Sequence, residues 1–251
     1  MPHYDFHSPR LFVAEPLKSG LEVALDRGQA NYLVNVLRLK AGSEVLVFNG
    51  QDGEWRAGLV LAAKKSVRLA IGEQTRPQPA SGDLHYLFAP LKHARLDYMV
   101  QKAVEMGASR LQPVITRHTQ VQRVNLERMR ANAIEAAEQC GILATPEIGA
   151  PLALTAFMRD WAPNRLLVFC DEDAEVKDPV AALGGARADT LAQTPVTLLI
   201  GPEGGFAEDE RAALMRLPNV LRLSLGPRIL RADTAAVAAL TLVQTVLGDW
   251  R

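Results

Sequence analysis

The chain has 251 residues, 48% of them hydrophobic, with 28 basic and 28 acidic side chains and a formal net charge of zero. That apolar fraction excludes a disordered chain, and no run of eighteen apolar residues offers a transmembrane helix. Two cysteines (Cys140, Cys170) and five scattered histidines (His3, His7, His85, His93, His118) show no ligand spacing, which argues against a disulfide scaffold or a metal centre.

The opening residues, MPHYDFHSPRLFV, lack the apolar core of a signal peptide, so a cytoplasmic location is expected. Strand composition follows at Arg10 to Val13, Glu44 to Phe48, Trp55 to Leu61 and Ser66 to Ile71, with Asn49-Gly50 and Asp52-Gly53 as turn signals. One helix interrupts them, from Gly28 to Leu39, with Tyr32, Leu33, Val36 and Leu37 on its apolar stripe. A small β-rich unit over 1–73 is therefore expected. The stretch EQTRPQPASGD, Glu73 to Asp83, is rich in turn residues and is the linker candidate, placed at 74–83.

Strands and helices then alternate through 84–251. Strands are expected at Leu84 to Ala89, Leu111 to Ile115, Arg165 to Cys170, Val196 to Ile200 and Val220 to Leu225. Helices are expected at Ala94 to Met106, at Asn125 to Gln139 with Asn125 as N-cap, at Ala207 to Leu217 and at Thr234 to Leu247. Such alternation predicts an α/β domain with a mostly parallel sheet. The last helix, TAAVAALTLVQTVL, is apolar or small nearly all round; either a dimer interface or a central position in a large core accounts for that. Charge is lopsided: Lys92 to Arg130 holds eight basic and three acidic residues, whereas Glu135 to Asp189 holds four basic and ten acidic. The basic stretch is either a surface for phosphates or a solvated helix face.

Two glycine turns carry the chemistry. In LLIGPEGGFAEDE, Leu198 to Glu210, an apolar strand runs into Gly-Pro-Glu-Gly-Gly and then into a helix. Gly201, Gly204 and Gly205 permit positive φ and open the main chain to a ligand; the alternative is a tight turn that binds nothing. The run LSLGPRILRADT, Leu223 to Thr234, repeats the format. If the two strands are neighbours, Gly201 to Gly205 and Gly226 to Leu230 form two walls of one pocket at the sheet edge. Ile229 and Leu230 would give it apolar surface and Arg231 a positive charge, with Asp233 and Thr234 supplying hydrogen bonds or a helix cap. The turn is neither a phosphate-binding GxxxxGK[ST] loop nor a GxGxxG motif, and no GxSxG nucleophile elbow is present.

GPEGG followed by LGPRILRADTA resembles the signature of the bacterial small-subunit rRNA uracil-N3-methyltransferases, members of the SPOUT class. PRLFV (Pro9 to Val13), VLRLKAGSEVLVFNG (Val36 to Gly50), LKHARLDYMVQKAVEMGA (Leu91 to Ala108), IEAAEQCG (Ile134 to Gly141) and PEI (Pro146 to Ile148) extend the likeness over essentially the whole chain. Two departures stand out. The family has Arg-Thr-Glu-Thr where this chain has Arg231-Ala232-Asp233-Thr234, and an arginine where Ile142 stands.

The resemblance implies a C-terminal domain with a trefoil knot, an N-terminal PUA-like RNA-binding domain, a homodimer, and S-adenosylmethionine as methyl donor without a metal. The acceptor it implies is N3 of a uridine in 16S rRNA of the 30S subunit. Leu199, Ile200, Gly201, Pro202, Glu203, Gly204, Gly205, Leu225, Gly226, Ile229, Leu230 and Thr234 would line the donor pocket. Arg231 would favour the deprotonated base, and Asp233 or Glu203 would take the proton or else hold the donor. Arg10, Arg38, Lys92, Lys102 and Arg117 are the expected phosphate contacts. A ribose 2′-O-methyltransferase and a non-catalytic ribosome assembly factor are the rival functions. A β-branched residue at 204 is expected to block the donor.

Overall fold

The computed structural model describes residues 5, 7–61, 66–175, 178–186 and 195–250, and leaves the side chain of His93 undescribed. The chain divides into two compact units, Met1–Ala80 with Ile134–Thr145, and Ser81–Ala133 with Pro146–Arg251.

The first unit is built on β1 (Arg10–Phe12), β2 (Glu22–Ala24), β3 (Glu44–Phe48), β4 (Glu54–Leu61) and β5 (Val67–Arg76), arranged β1-β3-β4-β5-β2. Only β1 and β3 run parallel. Leu11, Val13, Val23, Leu33, Val45, Val47, Leu59 and Leu69 fill the core. Two features depart from the sequence pattern. The single helix expected over Gly28 to Leu39 is a short α1 (Arg27–Asn31), capped by Asp26 and Gln29, followed by a π-helical turn, Tyr32–Val36. The widened turn closes with Leu37 N–H donating to Tyr32 O, and Arg38 leaves it at φ 57°. It buries Leu33 while Leu37 and Leu39 still reach the core. Second, β5 continues to Arg76, through the first residues of the Pro- and Ser-rich stretch.

The strand runs on because Arg76 lies opposite Glu54 and binds it. Glu54 is buried, and its carboxylate accepts from Arg10 Nε at 2.8 Å, Arg76 Nε at 2.9 Å and Thr75 Oγ1 at 2.9 Å. Arg10, 7% exposed, is consumed by this cluster and is not an RNA contact, which corrects the expectation for it. Within the same unit Glu138 accepts from Phe12 N–H, and Arg76 donates to Gly141 O at 2.9 Å, so residues 134–145 are bonded to the sheet.

In the second unit every strand pairing is parallel. Its strands are β6 (Leu84–Phe88), β7 (Arg110–Ile115), β8 (Glu147–Ile148), β9 (Leu152–Ala153), β10 (Leu166–Cys170), β11 (Val196–Ile200) and β12 (Val220–Leu223). The order is β12-β10-β11-β6-β7-β8, with β9 also on β7. The helices are α2 (His93–Glu105), α3 (Leu126–Cys140), α4 (Leu154–Arg159), α5 (Pro179–Gly185), α6 (Glu208–Leu214) and α7 (Ala232–Val246). Residues of α3 from Ile134 onward count with the first unit. The pairs β8, β9 and α4, α5 are too short for any periodicity to announce them. Asn125 caps α3 as expected, accepting from Arg128 N–H at 3.0 Å.

Helix α7 packs on α2, α5 and β11. It buries Ala235, Ala236, Ala239, Leu240 and Val243, and Gln244 Nε2 donates to Met106 O at 2.6 Å. Its opposite face, with Val237, Ala238, Thr241, Leu242 and Thr245, stays partly or fully exposed. Among the described residues, no helix is long and apolar enough to cross a membrane.

Burial raises the pKa of Glu54, but hydrogen bonds from Arg76, Arg10 and Thr75 outweigh it and hold the carboxyl below its ordinary value. A depressed folded pKa adds stability above the ordinary carboxylate range and loses it as pH falls through the folded value. Glu54→Gln is expected to cost about 3–5 kcal/mol, because it leaves Arg10 buried without its counter-charge. Urea denaturation at pH 7 and pH 3 checks this, with the gap between parent and variant narrowing at the lower pH.

Candidate functional site

The site grows from the C-terminal ends of three parallel strands. Strand β11 ends at Ile200 and enters Gly201–Pro202–Glu203–Gly204–Gly205. Strand β12 ends at Leu223 and enters Ser224 to Arg231, which delivers α7. These two strands are not neighbours, contrary to the expectation. Strand β10 lies between them, so its end, Cys170 to Glu172, comes between the two turns.

The result is a cavity of about 560 Å³, in the range of small-molecule sites. Ile200 to Gly204 and Leu225 to Arg231 line it, as do Cys170, Asp171, Glu172, Ser224, Ala232 and Ala235. The carboxylates of β10's end were not legible in the sequence; DEDAE after an apolar run reads as an ordinary acidic loop.

Asp171 holds this edge together. Its side chain is fully buried and accepts from Arg211 Nε on α6 at 2.7 Å and from Arg222 Nε on β12 at 2.8 Å. One carboxylate thus ties the helix after the first turn to the strand before the second. Arg211 also pairs with Asp173 and Glu208. Its pKa is raised, first by the hydrogen bond to Asp171.

The glycines divide their roles. Gly205 (φ 69°) and Gly226 (φ 99°) use the left-handed region; Gly201 and Gly204 do not, which corrects the expectation of positive φ at those two. A Cβ at Gly201 would stand 2.7 Å from the ring of Phe206, so that glycine makes room for core packing. A Cβ at Gly204 would meet His118 Cβ at 3.4 Å, so a bulky residue there presses on His118 first. At Gly226 a Cβ meets nothing within 4 Å, and the position lines the cavity.

His118 is a functional candidate that sequence reasoning missed. Its Nδ1 lies 3.1 Å from both Gly204 O and Gly205 O, so an Nδ1–H donor grips the end of the turn. The neighbouring Arg117 N–H donates to Glu210 Oε1 at 2.8 Å, and the Arg117 guanidinium pairs with Asp209. A lone histidine after a strand carries no sequence signal for such a role.

Four expected site residues do not line the cavity. Leu199 is in the core with Leu167, Phe169 and Phe206 because β11 is buried along its whole length. Gly205 is buried behind the turn, and Thr234 is exposed in the first turn of α7. Asp233 Oδ1 accepts from Thr234 N–H, and the N-cap position of α7 belongs to Arg231, without a side-chain cap. Glu203 lines the cavity and pairs with Arg95. Cys170 also lines it; burial pushes its thiol up to about 12. Of the expected phosphate contacts, Arg38 and Lys92 are exposed. Lys102 is bound to both oxygens of Glu105, and Arg117 to Asp209.

Comparisons with known proteins agree with this architecture. Residues 77–244 match the RNA methyltransferase domain family and residues 25–72 the RNA methyltransferase PUA domain. A ribosomal RNA small subunit methyltransferase E from Rickettsia conorii is 31% identical, over 92% of this chain and 91% of that protein. The enzyme of the same name from Neisseria gonorrhoeae, solved bound to S-adenosyl methionine, is 26% identical with a TM-score of 0.85 and covers 98% of this chain and 100% of that one. A methyltransferase from Legionella pneumophila, solved with bound cofactor SAM, is 29% identical with a TM-score of 0.81 and covers 95% of this chain and 98% of that one.

Asp171→Ala is expected to cost about 3 kcal/mol, at the low end for a broken buried pair because Arg211 keeps Asp173 and Glu208. Urea denaturation measures it; a loss below about 0.5 kcal/mol would show that the strand ends hold without the carboxylate.

Proposed function

We propose, since the chain belongs to the RNA methyltransferase family, that it methylates N3 of a uridine in 16S rRNA of the 30S subunit with S-adenosylmethionine as donor. The observation that carries this is the cavity between the two glycine turns, at the strand ends of a domain that matches SAM-bound neighbours. The residues present fit the donor. Main chain at Gly201 to Gly204 and at Leu225 to Gly226 offers polar edges, Ile200, Leu225 and Leu230 offer apolar faces, and Gly226 leaves open the space that a Cβ would fill.

When bound, the donor supplies a methyl group on an electrophilic sulfonium. The protein's own task is to hold a uracil in line with it and to exclude water. Uracil N3 becomes nucleophilic only when its proton leaves, and a fixed cation nearby favours the anion. Arg231 lines the cavity and fits that role. Of the two carboxylates expected to take the proton, Glu203 lines the cavity and Asp233 does not, which favours Glu203. Cys170 also lines the cavity, and burial favours its neutral thiol, the weaker nucleophile, over the thiolate.

The rest of the proposal concerns assembly. The partly exposed apolar face of α7 suits a homodimer, a trefoil knot in the second unit belongs to this picture, and the place of action is the cytoplasm. The first unit, with its PUA match, is assigned to RNA.

Two variants and the mapping of the methyl group test the proposal. Arg231→Ala should lower single-turnover methylation of 30S subunits at least 100-fold while donor affinity by calorimetry stays within twofold. Equal turnover removes Arg231 from the chemistry, and mass spectrometry that finds the methyl on a ribose oxygen replaces the acceptor. Gly226→Val should weaken donor affinity at least tenfold, through the filled space and the left-handed backbone together. Unchanged affinity removes the second turn from the donor site.

A further inference from the structure

A second cleft, of about 330 Å³, opens where α2 and α3 begin. Its walls are apolar: Leu91, Leu96 and Met129 are buried, and Val121 and Val124 are half-buried. Its rim is cationic. Lys92 and Arg123 are exposed there, and among the described residues neither is in an ion pair. Arg128 stands at the same rim but is committed to Asp97, with Nε–Oδ1 at 2.9 Å. That pair, together with Asn132 donating to Asp97 Oδ1, offsets the charge of the one acid lining the cleft. Both helices start at this cleft, Lys92 in the N-cap position of α2 and Asn125 capping α3, so their dipoles add to the positive field.

Between the cleft and the donor cavity lies a small hollow of about 10 Å³, and its lining, which includes Leu91, Lys92, His118, Val121, Pro202 and Glu203, shares residues with both. An apolar slot with a cationic rim fits an unpaired nucleotide: a base inserts its faces and its phosphate meets the cations. We propose that this cleft receives a nucleotide adjoining the methylated one, with Leu96, Val121, Val124 and Met129 against the base and Lys92 and Arg123 against its phosphate. The proposal rests on the reading of the protein as an RNA methyltransferase, and names how that enzyme grips its substrate.

The charge asymmetry of the sequence has its structural counterpart here. Of the cations in the basic stretch, Arg117, Arg128 and Lys102 are neutralised by Asp209, Asp97 and Glu105, whereas Lys92 and Arg123 frame the cleft.

Two variants separate the contacts. Arg123→Ala removes a phosphate contact, and Val124→Trp fills the slot. Fluorescence anisotropy with a labelled single-stranded RNA matching the target loop gives affinity at several salt concentrations. Calorimetry with S-adenosylmethionine shows that each variant is folded, and methylation of 30S subunits is followed alongside. Arg123→Ala is expected to weaken RNA binding about tenfold and to reduce the slope of log K against log salt by about 0.7. Val124→Trp is expected to weaken it as much with the slope unchanged. An abasic nucleotide beside the target uridine should weaken the parent and leave Val124→Trp unaffected. RNA affinity unchanged in both variants overturns the proposal, as does an abasic effect of equal size in parent and Val124→Trp. A parent that binds the RNA with these losses but never methylates it keeps the cleft and removes the methyltransferase reading. A parent that methylates 30S subunits while both variants bind RNA as tightly as it does keeps that reading and removes the cleft.

Discussion

The buried carboxylate of Asp171 is the constraint on which the cavity between the two glycine turns depends. A lone charge in that position is prohibitive, and two guanidiniums from different elements make it tolerable. Because those arginines sit on α6 and β12, satisfying the charge also fixes where the first glycine turn ends and where the second begins. The apolar sheet alone would tolerate small slides of its edge strand. The carboxylate demands one arrangement, since guanidiniums from two elements must both reach its Oδ2.

The second unit uses its glycines with similar economy. Gly201 admits the ring of Phe206 beneath the turn, Gly205 turns the chain with positive φ, and His118 holds the far carbonyls. The main chain of the turn is thereby presented rigidly before any ligand arrives, and binding then need not order a loop. In the first unit the Glu54 cluster has the corresponding place, joining β1, β4 and β5 through one acid.

Much of this was legible in the sequence, for identifiable reasons. Strands such as Glu44–Phe48 and Val196–Ile200 are short, β-branched and bounded by turn residues, and both agree to the residue. The two glycine turns and the capped start of α3 were legible because each has a local chemical cause. What escaped was non-local. Nothing in the run LLVFC says that it will lie between β11 and β12, and so the acids after it were not placed in the cavity. Arg10 looked like a free cation because its partner is 44 residues away. His118 escaped because a hydrogen bond to a carbonyl 86 residues on leaves no mark on its neighbours in sequence. The π-helical turn was missed because a 3.6-residue pattern tolerates one extra residue without losing its apolar stripe.

The central position of β10 has a kinetic corollary. The cavity needs chain from residue 170, from residue 201 and from residue 226, so nothing resembling it exists until three distant strands have closed side by side. Parallel closures of that kind come late, since loop entropy must be spent before their contacts form. A molecule lodged there recognises only the finished sheet, and its whole affinity therefore opposes the opening of the strand edge.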